Sequence, residues 1–235
     1  MDALLRELAR EPDRAAVLLD VDGVLAPIVP RPEDARVPSE TRGELRRLAG
    51  RYALVACISG RASDEARRML GVDGIEVVGE HGLELDPAAE DWAERIHAFA
   101  DEVDWPVERK RLSVSLHYRD AADETAAREF LEEVAERARA AGLVPRFGRK
   151  VLELRPPVAA NKGTAVKRLL ERAGLGRALY AGDDTTDLDA FAALDGLDVG
   201  VRVAVASSEA PESLRDAADV VVDSPDELLD LLRQL

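Results

Sequence analysis

The feature that most constrains the fold of this chain is a short apolar run that ends in acid and glycine. Ala15–Val21 reads AAVLLDV, without alternation of polar and apolar residues, and Asp22-Gly23 follows it directly. A near-continuous apolar run of this kind is typical of a strand buried on both faces, as in a parallel sheet. The run therefore predicts that the chain builds a parallel sheet around this segment.

The same alternation of apolar runs and helical segments recurs at both ends of the chain. The predicted strands are Tyr52–Ile58, Ile75–Val78, Arg177–Ala181, Val199–Val205 and Val220–Val222. The predicted helices are Ser39–Gly50, Ala62–Leu70, Lys162–Ala173, Asp184–Leu194 and Pro225–Leu232. Such βαβ alternation predicts an α/β fold with a doubly wound, Rossmann-like parallel sheet.

Residues 86–157 break this alternation. Arg111–Arg119 alternates apolar and polar side chains, which predicts an antiparallel strand with one buried and one exposed face. A long helix is predicted over Ala121–Ala141, and Leu143–Phe147 with Lys150–Arg155 forms a predicted hairpin. We therefore expect a smaller α+β domain, residues 86–157, inserted into a parallel-sheet core of residues 1–85 and 158–235.

Charge limits the partners of the chain. Its 32 basic and 47 acidic residues give a formal net charge of −15. General nucleic-acid binding needs a basic face and is not expected, whereas a small anionic substrate remains compatible because a metal can reverse the charge of one cleft. The single cysteine, Cys57, excludes an internal disulfide, and neither a signal peptide nor a membrane span is recognisable. We expect a cytoplasmic protein that does not bind membranes.

Three segments carry reactive side chains where predicted strands end. Because ligands bind at the carboxyl ends of strands in open α/β sheets, we expect these segments to meet at one site. In the first, Asp20 and Asp22 precede Gly23, which allows a sharp turn. One aspartate can attack phosphorus to give an aspartyl-phosphate, while the other protonates the leaving oxygen and then activates water. A strand followed by an ordinary Asp–Gly turn is the alternative interpretation.

The second segment, Ser59-Gly60-Arg61, offers a hydroxyl and backbone N–H groups that suit a phosphoryl oxygen at a helix start. A simple helix N-cap is the alternative. The third, Gly182–Asp187, holds three carboxylates, and paired acids at a strand end attract a hard divalent cation such as Mg²⁺. Helix capping by Asp184 or Thr185 is the alternative, but it does not explain Asp183 at the strand edge.

Lys162 opens a predicted helix, where its charge opposes the helix dipole. A lysine at this position, close to the acids, is expected to hold a phosphate and to neutralise the nucleophile. An exposed surface lysine is the alternative.

In this order, the pieces resemble the haloacid dehalogenase-like phosphatases, whose cap domain matches the inserted residues. The resemblance implies that Asp20 is the nucleophile and a Mg²⁺ ligand. It implies that Asp22 is the general acid and base, with its backbone carbonyl facing the metal. Ser59, Gly60 and Lys162 would bind the phosphoryl group. Asp183 would complete the metal shell, with Asp184 nearby or acting through water.

Finer detail resembles the trehalose-phosphate phosphatases. The matching pieces are DVDGVLAPI (20–28), Ser59-Gly60-Arg61, GEHG (79–82), LHYR (116–119), GRKVLELRP (148–156) and GDDTTDLDAF (182–191). The resemblance implies a phosphoric monoester hydrolase of trehalose biosynthesis that converts trehalose 6-phosphate to trehalose and phosphate. It also implies a functional link to a trehalose-phosphate synthase and a sugar held between cap and core.

The resemblance supplies candidate residues for binding the substrate. They are Arg61, His81, His117, Arg149, Lys150 and Glu153. Glu153 alternates with Leu152 and Leu154, so its carboxylate can face away from the apolar side of its strand and accept hydrogen bonds from sugar hydroxyls. An ordinary exposed strand residue is the alternative for Glu153, and an ordinary hydrogen-bonded histidine is the alternative for the two histidines.

Three positions depart from the family pattern. Val24 stands where threonine is usual, from which we expect little loss, and Ala160 stands where an aromatic residue is usual. Leu188 stands where glutamate is usual, which leaves substrate detail rather than catalysis in doubt. One alternative function is the same chemistry on another ester, such as sucrose phosphate or mannosyl-phosphoglycerate. Another is a non-catalytic regulatory partner of a trehalose-phosphate synthase, although binding alone needs no nucleophile.

Overall fold

The computed structural model describes residues 3–29, 31–148, 150–206 and 211–235. The chain divides into two compact units. Residues 1–85 and 160–235 form one, here called the core unit, and residues 86–159 form the other, here called the inserted unit. Each unit has its own sheet and its own apolar core.

The strands of the described residues are numbered in chain order. They are β1 (Ala16–Leu19), β2 (Leu54–Ile58), β3 (Glu76–Val78), β4 (Glu108–Arg109), β5 (Val114–His117), β6 (Val144–Gly148), β7 (Val151–Arg155), β8 (Arg177–Gly182), β9 (Val199–Val205) and β10 (Val220–Val222). The core unit contains β1–β3 and β8–β10, and the inserted unit contains β4–β7.

The α-helices are numbered in the same way. They are α1 (Ala3–Leu8), α2 (Ser39–Ala49), α3 (Ser63–Leu70), α4 (Pro87–Glu90), α5 (Ala93–Asp101), α6 (Glu124–Ala140), α7 (Lys162–Ala173), α8 (Asp187–Ala192), α9 (Glu212–Asp216) and α10 (Pro225–Leu232). Short 3₁₀ helices lie at Pro12–Arg14 and Pro32–Asp34, and the segment Glu80–Leu85 makes helical turns that are interrupted at His81 and Gly82. Among the described residues, no helix combines the length and the hydropathy needed to cross a bilayer.

The core unit is built on a six-stranded sheet in the order β10-β9-β8-β1-β2-β3, with parallel pairing throughout. All four residues of β1 are buried. Val17 and Leu19 pack into one apolar layer with α1, α2 and α10, and Ala16 and Leu18 pack into the opposite layer with α7, α8 and α9. Both faces of the sheet are therefore covered, which confirms the predicted doubly wound architecture.

The inserted unit has a four-stranded antiparallel sheet in the order β4-β5-β7-β6. Helices α5 and α6 cover its apolar face, where Ile96 and Leu131 pack with Leu116 and Leu152. The opposite face is less exposed than the alternation of β5 predicts, because Ser115 is buried. Ser115 is paired with Glu108 on one side and Glu153 on the other, so its small side chain lies between two longer ones.

Two helices begin three residues later than the sequence predicts, α6 at Glu124 instead of Ala121 and α8 at Asp187 instead of Asp184. The helix expected from Asp184 starts at Asp187, because the N–H groups of Asp183 and Asp184 both donate to the Asp187 carboxylate, each at 3.0 Å. Residues 183–186 thus form a loop between β8 and α8 rather than a first helical turn. This loop carries part of the candidate site.

Candidate active site

The carboxyl ends of β1, β2 and β8 lie side by side, because β1 pairs with both of the other strands. Asp20 directly follows β1, and its N–H donates to the carbonyl of Ala181 at 2.9 Å. Ser59 directly follows β2, and its N–H donates to the carbonyl of Val78 at 2.9 Å. The sheet register therefore brings the three segments singled out in the sequence to one edge of the core unit.

Lys162 lies at the centre of the site, with only 2% of its surface exposed. Its Nζ donates to Asp20 Oδ2 and to Asp187 Oδ1, at 2.7 Å each. The helix α7 starts here because Asn161 and Thr164 form a reciprocal capping box. Gly163 permits the close approach of α8, since a Cβ at this position would lie 2.3 Å from the carbonyl oxygen of Asp189.

Asp187 is a site residue to which the sequence assigned no role of its own. It is fully buried, and protein donors reach both of its oxygens. Oδ1 accepts from Lys162 Nζ and from the Tyr180 hydroxyl, each at 2.7 Å, and Oδ2 accepts from the two loop N–H groups at 183 and 184. The sequence signal was present in the third acid of Gly182–Asp187, but its position at a helix start suggests dipole interaction instead.

Burial and like charge shift the protonation of this group. Burial raises the pKa of Asp20 to about 7, against the effect of Lys162 and with a further rise from Asp187. Burial also raises the pKa of Asp183 to about 8, with further rises from Asp20 and Asp187. Burial lowers the pKa of Lys162, but Asp187 and Asp20 raise it above its ordinary value, so the lysine stays charged. The carboxylates therefore outnumber the cation that neutralises them.

The arrangement suits a hard divalent cation. One carboxylate oxygen from each of Asp20, Asp183 and Asp187 lies within 4.8 Å of the others. Since the oxygens of Asp187 already accept four hydrogen bonds, Asp20 and Asp183 are the carboxylates that could hold a metal. Gly23 is required beside them, because a Cβ there would lie 2.0 Å from Asp183 Oδ2 and its φ is +77°.

Asp184 and Asp22 do not join this group of carboxylates. Asp184 is exposed, and its Oδ1 accepts from the N–H of Thr185 at 2.6 Å and from the Thr185 hydroxyl at 3.1 Å. Short acidic side chains favour this local turn bonding at helix starts. The expected place of Asp184, near the metal or in contact with it through water, stays a prediction.

The Asp22 carboxylate is held by Arg61. Arg61 Nε donates to Asp22 Oδ2 at 2.7 Å, and its second terminal nitrogen donates to Asp22 Oδ1 at 2.8 Å. A third contact joins Arg61 to Glu65. The backbone N–H of Arg61 also donates to the Ser59 hydroxyl oxygen at 3.1 Å. Arg61 therefore links the second acid of the first segment to the serine of the second.

A left-handed turn fixes this loop from the other side. Glu80, His81 and Gly82 have φ values of 50°, 54° and 97°. The N–H of His81 donates to the carbonyl of Ser59, and the N–H of Glu80 donates to that of Arg61. The His81 ring lies against Gly60, where a Cβ would lie 2.6 Å from His81 Cε1. A side chain at position 60 would therefore displace the ring of His81, the histidine that the sequence singled out.

The candidate residues of the inserted unit fall in different places. Glu153 is buried, contrary to the ordinary exposed strand residue that was its alternative. Lys110 Nζ lies 3.5 Å from Glu153 Oε1, and Arg155 Nε lies 3.9 Å from Glu153 Oε2. The sequence did not single out Lys110, which precedes the alternating run. Together these three side chains offer hydrogen-bond donors and acceptors to a polar ligand.

The remaining candidates of this unit are bound locally. The Lys150 ammonium donates to Glu124 Oε1 at 2.6 Å, and Lys150 itself has a left-handed φ of 55°. His117 is exposed, and its Nε2 lies 2.6 Å from Glu108 Oε2. Arg149 lies outside the described residues.

The chain matches known proteins over most of its length. The profile of the trehalose-phosphatase family matches residues 18–106 and 105–225. A trehalose-phosphate phosphatase of Mycobacterium avium is 37% identical over 237 residues, which cover 89% of this chain and 59% of that protein. A protein described as an uncharacterized glycosyl hydrolase of Mycobacterium tuberculosis is 38% identical over 214 residues, which cover 81% of this chain and 16% of that protein. The chain therefore spans only part of the length of these relatives.

Solved structures show the same fold. The C-terminal domain of a C. albicans trehalose-6-phosphate phosphatase superposes with a TM-score of 0.75 at 24% identity, covering 98% of this chain and 95% of that one. A trehalose-6-phosphate phosphatase of Aspergillus fumigatus superposes with a TM-score of 0.63 at 26% identity, covering 99% of this chain and 96% of that one.

Proposed function

Since the chain belongs to the trehalose-phosphatase family, we propose that it hydrolyses trehalose 6-phosphate to trehalose and phosphate in trehalose biosynthesis. The observation that carries the proposal is the buried contact of Asp20 with Lys162 beside Asp183, which joins a nucleophile to a phosphate-binding cation. Cytoplasmic location and a functional link to a trehalose-phosphate synthase belong to the same proposal.

In the first step, an Asp20 oxygen attacks phosphorus and the bond from phosphorus to the sugar oxygen breaks. Lys162 and the Ser59 hydroxyl bind the phosphoryl oxygens, where negative charge is stabilised best by fixed donors. Asp22 donates its proton to the departing sugar oxygen. Because Arg61 engages both oxygens of Asp22, it has to release at least one of them before this proton is transferred.

In the second step, Asp22 accepts a proton from a water molecule, whose oxygen attacks the aspartyl-phosphate. The bond from phosphorus to Asp20 breaks, which frees inorganic phosphate and restores the Asp20 carboxylate. Asp20 and Asp183 would hold a Mg²⁺ ion, which supplies positive charge to the carboxylates and to the phosphoryl oxygens. Lys162 keeps its charge throughout, since its carboxylate neighbours raise its pKa.

The inserted unit would select the sugar. Glu153 can accept hydrogen bonds from hydroxyl groups, and Lys110 and Arg155 can donate to them. Arg61, His81, His117, Arg149 and Lys150 stay proposed substrate contacts on the strength of the family resemblance.

Product analysis tests the proposed reaction. The protein is incubated with trehalose 6-phosphate and Mg²⁺, and free trehalose and phosphate are quantified by NMR and by a colorimetric assay. We expect equal amounts of both products, and no release after chelation by EDTA. A protein that binds the ester without releasing phosphate would instead support the non-catalytic interpretation.

Metal binding should stabilise the protein more at pH 8 than at pH 5. The raised pKa values of Asp20 and Asp183 mean that the folded metal-free protein holds protons there that the unfolded chain has released. The contribution of these groups to stability is therefore present below about pH 4 and falls as the pH rises to about 8. Mg²⁺ relieves the repulsion that appears in this range.

The check is thermal unfolding with and without Mg²⁺ at both pH values. We expect the gain in Tm to be larger at pH 8 by at least about 2–4 °C, the shift that ~1 kcal/mol gives in a chain of this size. Asp183→Asn, which has no charge to titrate, should lose most of the Mg²⁺ gain. An equal gain in Tm from Mg²⁺ at both pH values in the native protein would contradict metal binding by Asp20 and Asp183.

Glu153→Gln should weaken recognition of the sugar without affecting the reaction centre. Losing a charged acceptor for hydroxyl groups should raise KM for trehalose 6-phosphate by about tenfold or more. KM for an aryl phosphate, which offers no sugar hydroxyls, should not change. Glu132→Gln makes the same change at an exposed position of α6 in the inserted unit and should leave both values unaltered. Equal KM changes for both esters would contradict the proposed role of Glu153.

A further inference from the structure

We propose that Tyr180 is a positioning residue for the phosphoryl-binding Lys162, and that it acts through Asp187. This inference rests on the proposed phosphatase function. It concerns a residue that the sequence placed only as a member of an apolar strand.

A continuous path of hydrogen bonds joins Tyr180 to the nucleophile. The Tyr180 hydroxyl donates to Asp187 Oδ1 at 2.7 Å. The same oxygen accepts from Lys162 Nζ at 2.7 Å, and Nζ also donates to Asp20 Oδ2 at 2.7 Å. All four side chains are buried, with at most 6% of any residue exposed.

The tyrosine hydroxyl is the rigid donor at this carboxylate oxygen. Lys162 reaches Oδ1 at the end of a flexible four-carbon stem, whereas a tyrosine ring has few rotatable bonds. The Tyr180 ring is further fixed by strand β8 and by Phe191, whose ring lies edge-on at 6.1 Å between centroids. The N–H groups of residues 183 and 184 fix Oδ2 in the same way.

Packing alone does not account for the hydroxyl. Tyr180 is fully buried in an apolar layer with residues such as Leu18 and Ala190. A phenylalanine would fill this layer without a polar atom that needs a partner, and a buried hydroxyl is costly unless it is hydrogen-bonded. Among the described contacts of Tyr180, the acceptor for its hydroxyl is Asp187. We therefore attribute the presence of this buried hydroxyl to its support of Asp187, which in turn holds Lys162.

The test is Tyr180→Phe, which removes one oxygen atom. We expect Lys162 to stabilise the transition state more than the bound ester, because it neutralises the negative charge that is spread over the phosphoryl oxygens during transfer. We expect kcat to fall about three- to tenfold with little change in KM. Tyr52→Phe removes the hydroxyl of another buried tyrosine, which lies 3.5 Å from the carbonyl oxygen of Leu235, and should leave both constants unchanged.

A double-mutant cycle separates positioning from general packing. If Tyr180 acts through Asp187, Tyr180→Phe should have almost no further effect on kcat in the background of Asp187→Asn. Folding of each variant is checked by circular dichroism and thermal unfolding. Should Asp187→Asn fail to fold, inhibition of Tyr180→Phe by orthovanadate replaces the cycle, and we expect the inhibition constant to rise about three- to tenfold.

Kinetics are measured with both trehalose 6-phosphate and an aryl phosphate. If the protein turns over only the aryl phosphate, the proposed substrate is wrong. The kcat of Tyr180→Phe can then still be compared with that of the native protein on the aryl phosphate. An unchanged kcat in Tyr180→Phe, an equal fall of kcat with Asp187→Asn present, or unchanged inhibition by orthovanadate would overturn the positioning role.

Discussion

Asp20→Asn is expected to abolish phosphate release from every ester. The amide cannot form the acyl phosphate through which we propose that the reaction proceeds, so kcat should fall by at least about four orders of magnitude. The asparagine keeps the size of the side chain and an oxygen that can accept from Lys162 Nζ, which lies 2.7 Å from Asp20 Oδ2. The fold should therefore survive the substitution.

The measurement is single-turnover phosphate release with purified Asp20→Asn and a Tm for both proteins. Asp64→Asn, at an exposed position of α3, makes the same chemical change outside the site and should retain full activity. Activity of Asp20→Asn above about one per cent of wild type would show that another group attacks phosphorus, because a covalent nucleophile cannot be replaced by its amide.

Lys162→Met should impair both stability and catalysis. The methionine fills much of the same volume, but it leaves Asp20 and Asp187 without the cation that lies 2.7 Å from each. Removing one partner of a buried ion pair costs about 3–5 kcal/mol, and loss of a fixed donor to the phosphoryl group lowers kcat by about 10²–10³. The loss of stability should be smaller at pH 5, because burial raises the pKa of Asp20 and the loss of Lys162 raises it further, so that Asp20 is then neutral.

Urea unfolding of the metal-free proteins at pH 5 and pH 8 measures the first effect, and steady-state kinetics with Mg²⁺ measures the second. Lys167→Met removes an exposed lysine from the same helix and serves as the matched control. A loss of less than about 1 kcal/mol at pH 8 would mean that the buried carboxylates do not depend on Lys162.

The residues that the sequence placed correctly are those whose position follows from strand order. Asp20, Ser59 and Asp183 each follow a strand, and adjacent parallel strands must end at the same edge of the sheet. Lys162 could be grouped with them because a cation at a helix start is unfavourable unless acids lie nearby. For these positions, local pattern and topology carry the same information.

The residues that the sequence missed depend on side-chain packing across the fold. Asp187 looks like an acid at a helix start, and Tyr180 looks like an apolar strand residue. Both contacts become visible only when α7, α8 and β8 meet at Lys162. Likewise, the period-two pattern of β5 predicts an exposed Ser115, but the longer side chains of the neighbouring strands cover it. The sequence also did not identify Arg61 as the hydrogen-bond partner of the Asp22 carboxylate, because the two residues are 39 positions apart in the chain.

The most direct test of the account is phosphate release with Mg²⁺ from a panel of trehalose 6-phosphate, sucrose 6-phosphate, glucose 6-phosphate and an aryl phosphate. We predict that kcat/KM is highest for trehalose 6-phosphate by at least about tenfold, and that EDTA abolishes all activity. A value for another ester that equals or exceeds that for trehalose 6-phosphate would contradict the proposed substrate. No release from any ester by the folded, Mg²⁺-loaded protein would contradict the proposed reaction itself.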